Sequence, residues 1–157
     1  MIVLSYETLD AIADSYNPLL AVISLAFIAV SLFKSQWRQA GLRFAGFAMI
    51  AVIAYSLMLL DSRLNIWPAF GLDYSTHTAV ALGLVLFLSF TIPRFVYFWF
   101  GSLVGYALLM LYQRYHTVSD IVMTGIAVGI PMMLCLMPLY RPWRRSKTVS
   151  PHGVTSP

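Results

Sequence analysis

Charge is scarce in this 157-residue chain: Asp, Glu, Lys and Arg make up 10% of it, against roughly 25% in a soluble domain. So few charges cannot cover a water-facing surface, which excludes a water-soluble globule. Cysteine is nearly absent too. Cys135 stands alone, which excludes an intrachain disulfide framework, and its apolar surroundings read as those of a small buried hydrophobe. The first sixteen residues hold Glu7, Asp10 and Asp14 but no Lys or Arg, so no secretory signal peptide is expected there. No strong metal-ligand spacing such as His-Glu-x-x-His occurs, and neither a metal nor a cofactor is expected. What is abundant is hydrophobic: 60% of residues, with 15% aromatic, the opposite of a disordered composition. Mean hydropathy is +0.79. These values describe a polytopic helical membrane protein.

Crossing ~30 Å of hydrocarbon takes about 17–25 apolar residues per helix. Five runs qualify: Pro18–Phe33, Leu42–Leu60, Thr78–Ile92 (extended back to Ser75), Phe95–Tyr112 and Val118–Tyr140. The predicted fold is therefore an all-α bundle of about five transmembrane helices, a single membrane-embedded domain over residues 1–140. Residues 1–16 read as an interfacial amphipathic segment with Ile2, Leu4, Leu9 and Ile12 toward lipid. Residues 141–157, basic and then rich in Ser, Thr and Pro, read as a lipid-surface anchor followed by disorder. Pro93-Arg94 and Trp67-Pro68 with Gly71 mark turns, and Pro131 and Pro138 fall inside or near the end of the last helix. Gly101/Gly105 and Gly125/Gly129 have the spacing of close helix packing. Trp67, Tyr74, Tyr112 and Tyr115 read as an interfacial aromatic belt, and Asp61 and Asp73 as solvated loop carboxylates.

The basic residues carry the topology. Lys34, Arg38, Arg43, Arg94, Arg141, Arg144, Arg145 and Lys147 fall on one side of the membrane, which leaves only Arg63 and Arg114 of the ten on the other. All six acidic residues (Glu7, Asp10, Asp14, Asp61, Asp73, Asp120) share that poorer side. The tail is expected in the cytoplasm and the N-terminus outside. A pI near 9.4 is thus a matter of orientation, and no nucleic-acid partner is expected.

The expected outer face also gathers the chemistry. His77 lies in Asp73-Tyr74-Ser75-Thr76-His77-Thr78, and His116 and Asp120 lie in Arg114-Tyr115-His116-Thr117-Val118-Ser119-Asp120. Four residues apart on a helix, His116 and Asp120 share a face, and a carboxylate on one imidazole nitrogen fixes the tautomer and raises the basicity of the other. Ser75, Thr76 or Ser119 can cap helices whose N-termini attract phosphate. Two imidazoles, a carboxylate and two guanidiniums (Arg63, Arg114) suit phosphoryl transfer: one His attacks, the other protonates the leaving group, and the arginines neutralise phosphate oxygens. Two His and a carboxylate also suit iron or zinc, and a protein that only binds lipid headgroups or a partner accounts for the same residues without catalysis.

Ser75-Thr76-His77-Thr78-Ala79 resembles the second signature of the type 2 phosphatidic acid phosphatase superfamily, normally Pro-Ser-Gly-His-(Thr/Ala). His116-x-x-x-Asp120, followed by Thr124-Gly125, resembles its third, Ser-Arg-x5-His-x3-Asp. The resemblance covers roughly Asp61 to Gly129. It implies a membrane phosphatase or phosphotransferase acting on a lipid or isoprenoid phosphate among membrane lipids, with no metal. His116 would be the nucleophile that becomes phosphohistidine, Asp120 its orienting partner and His77 the general acid. Arg114, Arg63, Ser75 and Thr76 would bind the phosphate. The chain departs from the pattern at Tyr74 and Thr76 and at Met110, where the third signature has its Arg; the first signature, Lys-x6-Arg-Pro, is absent.

Overall fold

The computed structural model describes residues 5–146, with side chains through Tyr140. The described residues form an all-α bundle: α1 (Tyr6–Phe33), α2 (Trp37–Leu64), α3 (Thr76–Thr91), α4 (Val96–Tyr112) and α5 (Val118–Ser146), with 3-10 turns at Pro68–Phe70 and Pro93–Phe95. Four stretches, Tyr6–Phe33, Trp37–Leu64, Pro93–Tyr112 and Val118–Tyr140, are long and apolar enough to cross a bilayer. The chain is an integral membrane protein.

The predicted third span differs from the others. With 16 residues, α3 is only ~24 Å long, short of the ~30 Å hydrocarbon layer. It is the axis of the bundle, packed against α1, α2, α4 and α5. Ala79, Ala81, Val85, Phe87 and Leu88 are wholly buried, so α3 is apolar on every side because protein surrounds it on every side. Gly83 lets α2 and α5 approach: a Cβ there would stand 2.5 Å from Ile50 Cγ2 and 2.8 Å from Met132 Sδ. Ser24 and Ser31 are buried inside α1 at no polar cost, since their hydroxyls donate to the Leu20 and Phe27 carbonyls one turn back. Away from the histidines, Arg43 of α2 donates to the Phe27 carbonyl at 2.9 Å and to the Ser31 hydroxyl, tying α2 to α1.

Local chemistry sets the ends. Ser5 caps α1 by accepting the Thr8 N–H at 3.2 Å, and Asn65 ends α2 in the left-handed region (φ 50°). Pro93 stops α3 by forcing Ile92 out of helical geometry.

Several expectations change. Residues from Tyr6 onward are not a separate interfacial element; they open α1, which runs unbroken through Pro18. Ile2 and Leu4 lie outside the described residues. The tail does not begin at 141, because α5 continues through Pro131 and Pro138 to Ser146; 147–157 lie outside the described residues. The glycines do not draw α4 and α5 together: a Cβ at Gly101, Gly105 or Gly125 would meet nothing within 4 Å, and Gly129 faces Leu82 of α3. Trp67 and Tyr74 are buried core, stacked edge-to-face at 5.0 Å, whereas Tyr112 is 75% exposed as a belt residue should be. Cys135 is half-buried rather than enclosed.

Candidate functional site

Chain direction alternates through the bundle, so the starts of α1, α3 and α5 and the ends of α2 and α4 share one end. At that end a cavity of about 250 Å³ is lined by Ala13, Asp14, His77, Tyr106, Met110, Tyr115 and His116. Both histidines singled out by the sequence therefore meet at one cavity, although 39 positions separate them.

His77 is placed by the start of α3. Ser75 caps that helix, its Oγ accepting the Thr78 N–H at 3.3 Å and pairing with Thr78 Oγ1 at 2.8 Å. The Ser75 N–H donates to Thr124 Oγ1 at 3.2 Å, which pins the helix start to α5. Asn17 of α1 donates its amide to the His77 carbonyl at 3.2 Å. The His77 ring has its Nδ1 3.4 Å from the Tyr106 hydroxyl, and Tyr106 is itself stacked on Tyr16 with ring centroids 4.3 Å apart.

His116 is not on a helix. It lies in the turn between α4 and α5, where Arg114 takes a left-handed backbone (φ 59°) and the Tyr115 N–H closes back on the Met110 carbonyl at 3.1 Å. The i, i+4 relation to Asp120 therefore fails, because its geometry requires both residues on one helix. Asp120, 5% exposed, is committed elsewhere. Its Oδ2 accepts the Thr117 N–H at 2.8 Å and the Thr117 hydroxyl at 2.7 Å, while Thr117 Oγ1 accepts the Asp120 N–H at 3.3 Å. That reciprocal pattern is a capping box at the start of α5, with Asp in the place usual for Glu or Gln. The other oxygen, Oδ1, accepts the Asp73 N–H at 2.8 Å and fastens the α2–α3 loop to α5. The carboxylate beside His116 is Asp73, whose Oδ2 stands 3.7 Å from Nδ1, beyond hydrogen-bond reach, so that buried nitrogen has no hydrogen-bond partner; the imidazole is 13% exposed and the carboxylate 75%.

The expected phosphate ligands are not at the cavity. Arg114 and Arg63 are exposed and neither lines it. Ser75 is wholly buried and spent on capping, and Thr76 opens α3 without lining the cavity. The left-handed turn that presents His116 is the local irregularity that carries Arg114 elsewhere. The wall instead holds the Asp14 carboxylate and two phenols. Tyr115 donates its hydroxyl to Asp10, and that carboxylate raises the phenol pKa above the ordinary range. Among the described residues, no three of His, Cys, Asp and Glu gather closely enough to hold a metal ion, so the metal reading lacks a ligand set.

Sequence reasoning missed Asp14, Tyr106, Asn17 and the proximity of Asp73 to His116. Only Thr117 carried a readable signal, the Thr-x-x-Asp spacing immediately before an apolar run. Comparison of the chain with protein-family models, with curated proteins and with solved structures finds no match.

Proposed function

We propose that the protein is an integral-membrane phosphatase or phosphotransferase of a lipid or isoprenoid phosphate, working at the outer face through a phosphohistidine intermediate. The observation that carries this reading is the meeting of His77 and His116, from separate elements, at one cavity of a size to take a headgroup. The distribution of Lys and Arg favours an outward-facing cavity and a cytoplasmic tail.

In this reading the carboxylate that orients the nucleophile is Asp73 rather than Asp120. With the His116 Nδ1 side turned to Asp73, Nε2 attacks phosphorus; a P–N bond forms as the bond to the leaving oxygen breaks, and protonated His77 gives that oxygen its proton. Water, or an acceptor alcohol, then attacks the phosphohistidine while His77 takes its proton. Charge on the transferring group is met by the His77 imidazolium.

One observation favours a second reading. The Asp14 carboxylate lines the cavity beside the Tyr106 and Tyr115 rings while both nearby arginines lie outside it. A carboxylate among aromatic rings suits an ammonium headgroup, held without turnover. Incubating the purified protein with a panel of lipid phosphates and diphosphates, with and without EDTA, separates the readings. Phosphate release that survives EDTA and vanishes in His116→Ala supports the enzyme; release no faster than in protein-free controls leaves headgroup binding.

A further inference from the structure

We infer that the seam between α4 and α5 seats a hydrocarbon chain of the lipid whose headgroup occupies the histidine cavity. The inference rests on the lipid-ligand part of the functional reading and not on turnover. α4 packs against α3 and α1, and α5 against α3 and α2; among the described residues α4 and α5 share no substantial contact. The gap holds two apolar clefts. The one nearer the histidines, about 200 Å³, lies among Thr78 and Leu82 of α3, Val104 and Ala107 of α4, and Ile121 and Gly125 of α5. The farther one, about 270 Å³, lies among Leu86, Phe90, Val96, Phe100 and Met133.

Three observations make these clefts one path from the site. Tyr106 lines both the histidine cavity and the nearer cleft, so the two spaces adjoin at that residue. The floor is one face of α3, with Thr78, Leu82, Leu86 and Phe90 each a turn further from His77. From Thr78 to Phe90 that face runs ~18 Å, close to the depth of one leaflet, half of ~30 Å. The nearer cleft has room beside α5 for a chain to enter: a Cβ at Gly125 would meet nothing within 4 Å.

The test uses the full chain in phosphatidylcholine nanodiscs containing phosphatidic acid that carries a diazirine at mid-chain. After irradiation, adducts are mapped by mass spectrometry in the wild type, in Gly125→Leu, which fills the nearer cleft, and in Val104→Trp, which closes its exposed rim. The expected result is adducts concentrated in residues 96–107 and 121–133 and reduced at least tenfold in either variant that retains the wild-type unfolding midpoint. Adducts spread evenly over the lipid-facing sides of α1 and α2, or unchanged in both variants, overturn the inference. A wild type that labels in the seam but releases no phosphate keeps the seam and removes the catalytic reading; phosphate release without seam labelling does the reverse.

Discussion

Asp120→Ala should destabilise the protein rather than silence it. In a helix-borne His–Asp pair, Asp120 would be a catalytic partner with little structural weight. In the observed bundle its Oδ2 takes two hydrogen bonds from Thr117, its Oδ1 takes one from the Asp73 N–H, and the side chain is 5% exposed. Losing the carboxylate's side of the capping box, the two hydrogen bonds from Thr117, costs about 0.5–1.5 kcal/mol. Losing the tether to the α2–α3 loop, a hydrogen bond to a charged group, costs about 1.5–3 kcal/mol more. The total, about 2–4.5 kcal/mol, is a large share of a stability typically near 5–15 kcal/mol. Unfolding in mixed micelles, followed by helical circular dichroism against added SDS, reads this as a lower midpoint. Asp120→Asn keeps one acceptor and should fall between wild type and alanine. Asp73→Asn, at a carboxylate 75% exposed, should leave the midpoint within about 0.5 kcal/mol while lowering phosphate release. An Asp120→Ala protein as stable as wild type but inactive would return Asp120 to the catalytic role.

Gly83→Ala should destabilise the bundle by about 1–3 kcal/mol in the same assay, because the added methyl meets Ile50 Cγ2 at 2.5 Å; an unchanged midpoint would show that the three-helix crossing is looser than described. Burial, aided by the Asp61 charge, pushes the Tyr74 phenol up to about 12, and its hydroxyl donates to the Ala54 carbonyl at 2.8 Å. The neutral phenol is the form that the fold favours, so its contribution is complete below the ordinary value of about 10 and is lost as pH rises toward 12. Tyr74→Phe should accordingly lose less stability than wild type between those pH values, and parallel curves would contradict this. Arg114→Ala and Arg63→Ala should each keep phosphate release within about threefold, since neither lines the cavity; a fall of about 10²-fold, the scale of losing one transition-state donor, would show a clamp after all.

The helices were legible because a bilayer solvent leaves a simple trace, long apolar runs broken by Pro and charge. That trace does not tell a lipid-facing helix from a protein-encased one, which is why α3 reads as a span although its 16 residues fall short. Nor does a single Pro mark a boundary: Pro18 removes one N–H, and α1 continues through it. In the site, the two histidines were legible and their partners were not. The Asp120 assignment assumed that helix α5 begins before His116, but the Thr117 cap starts it after, so a shift of two residues hands the carboxylate from an imidazole to a capping box. Asp14 and Asp73 became visible only in three dimensions: the first turns of α1 bring Asp14 to the cavity, and the α2–α3 loop sets Asp73 beside His116.

If His77 and His116 act on one phosphoryl group, the phosphohistidine between them can be trapped. Purified protein is mixed with a lipid phosphate labelled with ³²P, quenched in base to preserve a phosphoramidate, and mapped by peptide. The expected label sits on His116 in the wild type, is absent from His116→Ala, and forms more slowly in His77→Ala. Label that persists in His116→Ala, or a wild type that never becomes labelled, contradicts that joint action.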